Sequence, residues 1–351
     1  CLCSVFLPFW KRTSKPRKGG LGLAKRILVV DVAAHEGGAL SILQQYHQDS
    51  LKDTDNIYFF CVSLPELSSS ATVKVLRFPW VKKSWLHRLW FEHVTLRRIL
   101  RQCAPDEILS LQNILAGHTS LPQTLYLHQP LPFCGYRFSL WQNPKFWIYQ
   151  NIIGPRVLRS VRNAQKVIVQ THWMKEAVCQ KAGISGETVE ICAPHTAVSP
   201  VGHFHADQWK RSYFFPASAY SYKNHAAVLQ AMLLLKQQGI TDYTVRFTLT
   251  PEQLPLTKEQ ESLRCQLILE GSMPSQEVME EYTHSVLLFP SYIETFGLPL
   301  LEARETGTPI LASDCPFSHE ILDGYADVSF FDPFRPEELA RLMKQQLEAT
   351  V

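Results

Sequence analysis

Short, nearly unbroken apolar runs alternate with amphipathic stretches along most of the chain. That rhythm predicts an α/β protein with parallel sheets, because strands covered on both faces carry no polar alternation. Strands are predicted at Arg26–Asp31, Ile57–Val62, Glu107–Leu111, Thr124–His128 and Lys166–Gln170. The clearest helical patterns among them are Leu86–Arg101 and His172–Ala182, and a further helix is predicted to start near Ala39. The rhythm stops over Ile191–Asp207, where Pro194, Pro200 and Gly202 mark irregular chain. It resumes at Tyr213–Pro216. There follow a helix from Asn224 to Gln238, strands at Tyr243–Leu249 and Gln266–Leu269, a helix at Ser275–Thr283, a strand at Ser285–Phe289, a helix at Leu298–Glu305, a strand at Pro309–Ala312 and a helix at Pro336–Leu347. Two doubly wound halves fit this order. The boundaries it suggests are a leader over 1–24, a first domain over 25–193, a linker over 194–211 and a second domain over 212–351.

Composition narrows the class. With 351 residues, 46% hydrophobic and 19% charged, the chain can bury two cores and is neither disordered nor fibrous. A net charge of +3 argues against a dedicated nucleic-acid binder. The nine cysteines form no CxxC pair, and several sit in apolar runs, as Cys61 and Cys192 do; this reads as a reducing compartment without a structural zinc site. No apolar run reaches the roughly 20 residues needed to span a bilayer. Cys1–Trp10 is apolar and precedes Lys11, Arg12, Lys15, Arg17 and Lys18, the reverse of a secretory signal. It reads either as a disordered leader or as a segment that touches anionic membrane.

The richest chemistry lies at Phe289-Pro-Ser-Tyr-Ile-Glu294-Thr-Phe-Gly-Leu-Pro-Leu-Leu-Glu302-Ala-Arg. A strand ends at Phe289, a loop carries Glu294, and a helix starts near Leu298 with Pro299 suited to its first turn. The N–H groups of Phe296, Gly297 and Leu298 are orphan donors suited to a phosphate, and Gly297 lets backbone approach a ligand closely. A carboxylate beside them can accept from sugar hydroxyls. Without a ligand, the two carboxylates would merely complement helix dipoles. Upstream, Lys223 precedes Asn224 and His225 at another strand-to-helix turn, where a lysine can neutralise a diphosphate or simply be a solvated helix start.

The segment resembles the E-x7-E signature of family 4 retaining glycosyltransferases, of the group 1 type, whose GT-B architecture sets two facing Rossmann-like domains about a cleft; the resemblance implies an acceptor-side domain over 25–193 and a nucleotide-sugar-binding domain over 212–351. Pro290-Ser291, Phe296-Gly297-Leu298-Pro299, Ala303, Pro309–Asp314 and Glu320 are similar to that family as well. The resemblance implies that Glu294 contacts the transferred sugar, Glu302 the ribose, and Lys223 the diphosphate. It also sets Gly271 in a loop near the base. One departure stands out: many relatives carry an arginine five residues before the lysine, and here that position is Ser218.

In the first half, His35-Glu36-Gly37-Gly38 opens a helix after the first strand. It is either a plain tight turn or, as in the resembling family, a glycine loop that meets donor phosphate and acceptor; it lacks the full dinucleotide fingerprint. His128 ends a strand and is either satisfied by backbone or, by the same resemblance, in contact with the donor sugar. Gln112-Asn113 and Gln170–Met174 end further strands and are candidates for the acceptor pocket, unless Trp173 simply packs.

Together these readings imply a retaining hexosyltransferase that needs no metal and no cofactor. Its donor would be a GDP- or UDP-linked sugar and its acceptor a glycan or lipid-linked chain in polysaccharide assembly. Catalysis would involve Glu294, His128 and Lys223, with Glu302, Gly37, Gly38, Phe296, Gly297, Leu298 and Gly271 around the donor. A cytoplasmic protein held lightly at the membrane by Lys82, Lys83, Arg88, Arg97 and Arg98 would suit that setting, although those residues equally suit a solvated helix face. A non-catalytic nucleotide-sugar-binding module and a nucleotide-sugar epimerase are the alternatives.

Overall fold

Two parallel sheets organise the chain in a computed structural model that describes residues 24–35, 37–194, 200–209 and 211–349. The expected leader over 1–24 therefore lies almost wholly outside the described residues. Compactness divides the chain into two units. The first runs to His128 and takes in 138–169 and 178–190; the second holds 129–137, 170–177 and everything from Ile191 on.

The first unit is built on β1 (Arg26–Asp31), β2 (Ile57–Val62), β3 (Val73–Arg77), β4 (Glu107–Ser110), β5 (Gln123–Tyr126), β6 (Lys166–Val169) and β7 (Val189–Ile191), in the order β3-β2-β1-β4-β5-β6-β7. The strands run parallel from β3 to β6. Its helices are α1 (Gly37–Lys52), α2 (Trp85–Trp90), α3 (Leu96–Cys103), α4 (Pro144–Ile148) and α5 (Gly154–Asn163); α6 (His172–Ala182) straddles the two units. Leu28, Val29 and Val30 of β1 are fully buried and feed the cores on both faces of the sheet. The single helix expected over Leu86–Arg101 contains a π-helical turn at Phe91–Thr95. Phe91, Leu96, Ile99 and Cys103 all face inward, and the five-residue step from Phe91 to Leu96 is the one such a turn accommodates.

The second unit holds β8 (Ser212–Phe215), β9 (Thr244–Phe247), β10 (Leu267–Leu269), β11 (Val286–Phe289), β12 (Ile310–Ser313) and β13 (Val328–Phe331), all parallel, in the order β10-β9-β8-β11-β12-β13. Around it lie α7 (His225–Gln237), α8 (Ser275–Glu281), α9 (Leu298–Thr306), α10 (Pro316–Ile321) and α11 (Pro336–Glu348). Part of the expected linker is packed. The Phe204 and His205 N–H groups donate to Thr306 and Thr283 carbonyls, and Trp209 is buried in this unit's core.

Each sheet reverses its strand order once, between β1 and β4 in the first and between β8 and β11 in the second. Loops leaving adjacent strands on opposite sides of such a reversal open a crevice at the carboxyl edge, which is where open α/β sheets take ligands.

Candidate functional site

In the second unit the reversal brings two loops together. β8 and β11 pair directly, Tyr213 with Val286 and Phe214 with Leu287, so both strands deliver their loops to the same point. The first loop ends in a 3-10 turn at Ser221–Lys223 and enters α7 through Asn224, which adopts the left-handed conformation that asparagine tolerates (φ 64°). The Asn224 amide braces the neighbouring loops by donating to the Pro333 carbonyl (2.7 Å) and the Pro290 carbonyl (3.3 Å). The Tyr292 N–H donates to the Tyr222 carbonyl at 3.1 Å. Across this seam Lys223 Nζ donates to Glu294 Oε1 at 2.5 Å, with side chains 17% and 13% exposed. Lys223 Nζ also lies 5.9 Å from the centre of the Tyr222 ring, and burial followed by the Glu294 charge holds the Tyr222 phenol well above its ordinary value. The ammonium has three donors and the carboxylate about four acceptor sites, so the pair leaves each group capacity for a ligand.

Glu294 is held from one more side. Within the second unit, the Thr171 hydroxyl donates to the Thr295 carbonyl at 2.9 Å. Gly297 caps α9 at φ 102°, a backbone that side-chain-bearing residues rarely adopt. A Cβ there would stand 3.3 Å from Leu300 Cδ1 and 3.4 Å from Phe289 Cζ. The glycine expected to admit a ligand is thus required by its φ angle and by the core beneath it. Glu302 sits one turn further along α9 and accepts from the buried Tyr282 hydroxyl at 3.1 Å. Burial raises its carboxyl above the ordinary range, opposed by that hydrogen bond. Gly271 (φ 74°) follows the edge strand β10, where its N–H donates to the Leu249 carbonyl. Lys223 and Glu294 are therefore brought into contact, Glu302 stands on the adjoining helix, and Gly271 belongs to the sheet edge. Ser218 is exposed on the loop leading to Lys223.

Other candidates take structural partners. Glu320 collects the His172 N–H at 2.7 Å and the Trp173 N–H at 3.0 Å, placing a carboxylate at the start of α6 where the helix dipole favours it. Trp173 packs against the second core, 6.5 Å from the Phe317 ring. Trp173 thus takes the packing role that the sequence allowed for it.

The first unit's reversal gathers a second group. Gly37 and Gly38 are exposed at the start of α1, with Gly37 at φ 61°. Asp31, at the end of β1, braces the loop leading to them: its Oδ1 accepts from the N–H of Ala34 (2.9 Å) and Ala33 (3.2 Å). Asp31 is fully buried, its Oδ2 has no partner among the described residues, and burial pushes the carboxyl up to about 7. Lys82 donates to the Ala33 carbonyl at 2.5 Å and approaches His35 Nδ1 at 3.1 Å, so it serves this loop as well as the surface. At the ends of β4 and β5, Asn113 (φ 63°) accepts the His128 N–H at 2.9 Å. The His128 ring is partly exposed, but its Nδ1 is buried without a partner among the described residues, and burial lowers its pKa to about 4. Asp31, Asn113 and Thr171 were not singled out for these roles by the sequence. The one visible signal is a polar residue closing an apolar strand.

Residues 205–350 match the family described as glycosyl transferases group 1. The second unit is therefore similar to a group 1 glycosyltransferase domain. The O-antigen chain mannosyltransferase RfbU of Salmonella typhimurium is 24% identical over 221 residues, covering 60% of this chain and 58% of that protein. The serotype-specific mannosyltransferase WbdA of Escherichia coli is 31% identical over 132 residues, covering 36% of this chain and 16% of WbdA. This chain thus spans a little over half of one relative and a small part of the other. Among solved structures, WaaG, a glycosyltransferase involved in lipopolysaccharide biosynthesis, superimposes with a TM-score of 0.65 at 13% identity over 92% of this chain and 91% of WaaG. Sucrose-phosphate synthase from Thermosynechococcus elongatus gives 0.70 at 15% over 93% and 90%. Anabaena HepE, solved in complex with UDP-glucose, gives 0.63 at 14% over 93% and 90%. These likenesses establish the GT-B fold, and the stretch similar to group 1 glycosyltransferases is built on the second sheet.

Proposed function

We propose that the protein is a retaining, metal-independent glycosyltransferase that moves a hexose from a GDP- or UDP-linked donor to a glycan or lipid-linked acceptor in cell-surface polysaccharide assembly. The observation that carries this reading is the Lys223–Glu294 pair at the β8/β11 reversal, 2.5 Å apart and mostly buried within the stretch similar to group 1 glycosyltransferases. The nucleoside diphosphate gains negative charge as the glycosidic bond breaks. A pre-placed ammonium and the N–H groups of Phe296, Gly297 and Leu298 lower that barrier without a metal ion. Glu294 accepts from hydroxyls of the transferred sugar, and Glu302, once ionised, accepts from the ribose diol. Gly37 and Gly38 offer N–H groups to the donor phosphate, and neutral His128 can donate to the sugar. Mannosyl transfer by RfbU and WbdA and UDP-glucose binding by HepE support donors of this class.

Lys223→Ala should weaken GDP or UDP binding about tenfold, read by calorimetry. Glu294→Gln should cut kcat by on the order of tenfold or more while largely sparing nucleotide affinity. Unchanged turnover in Glu294→Gln, or unchanged nucleotide affinity in Lys223→Ala, would refute the assignment. Ser218 favours one second reading, a non-catalytic binding module, and a donor-hydrolysis assay that gives binding without turnover would select it.

We also assign a membrane-facing role to the first unit. Among the described residues no helix is long and apolar enough to cross a bilayer. Yet Trp85, Leu86 (77% exposed) and Trp90 stand out from α2 beside Lys83, and Trp141 (94% exposed) beside Lys145. The chain carries no acidic residue between Glu107 and Glu176. Exposed aromatics interleaved with cations suit an anionic interface.

A further inference from the structure

A pocket of about 420 Å3 lies in the second unit at the carboxyl ends of β12 and β13, lined by Tyr136, Tyr292, Phe334, Asp314, Asp332 and Cys315. That volume falls in the range of small-molecule sites, roughly 300–1,000 Å3. Three of the lining groups are aromatic and mutually packed. The Tyr136 and Phe334 rings lie within 10° of parallel with centroids 5.8 Å apart, and Tyr292 closes the cluster at 4.9 Å from Tyr136 and 5.1 Å from Phe334. Phe334 remains 59% exposed, an unusual state for a phenylalanine held at a pocket mouth by its own loop. That loop is firm. The Asp332 carboxylate accepts the Phe334 N–H at 2.9 Å, and the Asn224 amide donates to the Pro333 carbonyl. Asp314 lines the same pocket, its carboxylate in contact with His319 Nε2 at 2.6 Å.

We infer that this pocket is a binding subsite for a neutral pyranoside, the sugar of an acceptor glycan, seated on the Tyr136–Phe334 platform with its hydroxyls donating to Asp314 and Asp332. The chemistry selects that class. Two carboxylates with no cation among the pocket's lining residues repel phosphate, a nucleotide or an acidic sugar. The Tyr136 and Phe334 rings, within 10° of parallel, offer apolar faces suited to the C–H face of a pyranose, and the Tyr292 ring, tilted by 53° and 50° to them, closes the wall. Apolar walls with a few convergent acceptors are the ordinary make-up of a ligand site. Cys315 adds no covalent chemistry: burial, with Asp314, Asp332 and Glu294 beyond it, pushes its thiol up to about 11. Tyr292, which lines the pocket, is only two residues from Glu294 on the same loop. The subsite therefore adjoins the group assigned to the transferred sugar, and its role as an acceptor subsite rests on that assignment.

Saturation-transfer NMR on the full chain with methyl α-D-mannopyranoside and methyl α-D-glucopyranoside tests the inference, with calorimetry of GDP and UDP run in parallel. The wild-type protein should saturate the ring protons of at least one glycoside. Phe334→Ala should weaken that binding about tenfold or abolish it. Asp314→Asn, an exposed and near-isosteric change, should weaken it several-fold, with nucleotide affinity unchanged in both variants. No saturation in the wild type, equal binding in wild type and both variants, or saturation of choline in place of the glycosides overturns the inference. Loss of nucleotide binding in wild type with glycoside binding intact counts against the transferase reading and leaves the pocket assignment standing.

Discussion

Asp31→Asn offers a quantitative test of how the first unit's loop is held. The substitution keeps an oxygen that can accept from Ala33 and Ala34 and removes the ionisable group. The Asp31 carboxyl moves from an ordinary 3.8 to about 7 on folding, first because burial penalises the charge; the two backbone hydrogen bonds and, more weakly, Arg88 and Lys82 oppose the rise. Between those values the native protein binds a proton that the unfolded chain lacks. The contribution of Asp31 is thus complete below pH 3.8, falls as pH rises, and is fully lost above pH 7. A shift of about 3 units corresponds to about 4 kcal/mol, and because the residue is fully buried no discount for solvent screening applies. The unpartnered Oδ2 position costs the asparagine amide about 1–3 kcal/mol, but that cost does not vary with pH and the protonated acid bears a similar one. The readout is therefore the slope. In urea unfolding followed by tryptophan fluorescence, Asp31→Asn should gain up to about 4 kcal/mol on the wild type between pH 4 and pH 8, at unchanged m. A stability difference that stays flat across this range would refute the burial argument.

Three further outcomes follow from the geometry. The His128 Cε1 proton, assigned by its disappearance in His128→Asn, should hold its neutral chemical shift from pH 8 to about pH 5, since burial lowers that imidazole to about 4; a midpoint near 6.5 would contradict it. Gly297→Ala should destabilise the protein by roughly 1–3 kcal/mol, because it forces φ 102° on a Cβ-bearing residue and presses Leu300 and Phe289; an unaltered Tm would show that the cap can relax. The wild-type protein should co-sediment with vesicles of phosphatidylcholine and phosphatidylglycerol more than with phosphatidylcholine alone, and Trp85→Ser with Leu86→Ser should reduce that binding. Equal recovery with both vesicle types would remove the membrane assignment.

The central strands were legible because they are covered on both faces: β1, β8 and β11 read as unbroken apolar runs and were predicted nearly to their ends. β3, β7 and β13 were not read. Each ends its sheet, and β3 and β13 are only partly buried along most of their length, so neither the continuous run nor a clean alternation marks them. Lys223 and Glu294 could be named from local turn chemistry, but their contact depends on two strands far apart in sequence becoming neighbours, which only the strand order reveals. Gly297 was found for a reason other than the one that dominates, since the rings beneath it are invisible to local sequence. The Tyr136 platform lay furthest from view, because it joins a residue following β5 to loops more than 150 positions later, around Tyr292 and Phe334.

The short bond between Lys223 and Glu294 also acts as a filter on what can occupy the crevice. A bare anion that draws the lysine away strands the glutamate charge in a mostly buried corner, and an uncharged sugar can fill the glutamate's spare acceptor sites but offers the ammonium no second charge. Only a molecule with a negative segment at one end and hydroxyls at the other compensates both halves at once. Discrimination against free phosphate and free monosaccharide in that crevice is thereby built into the resting state.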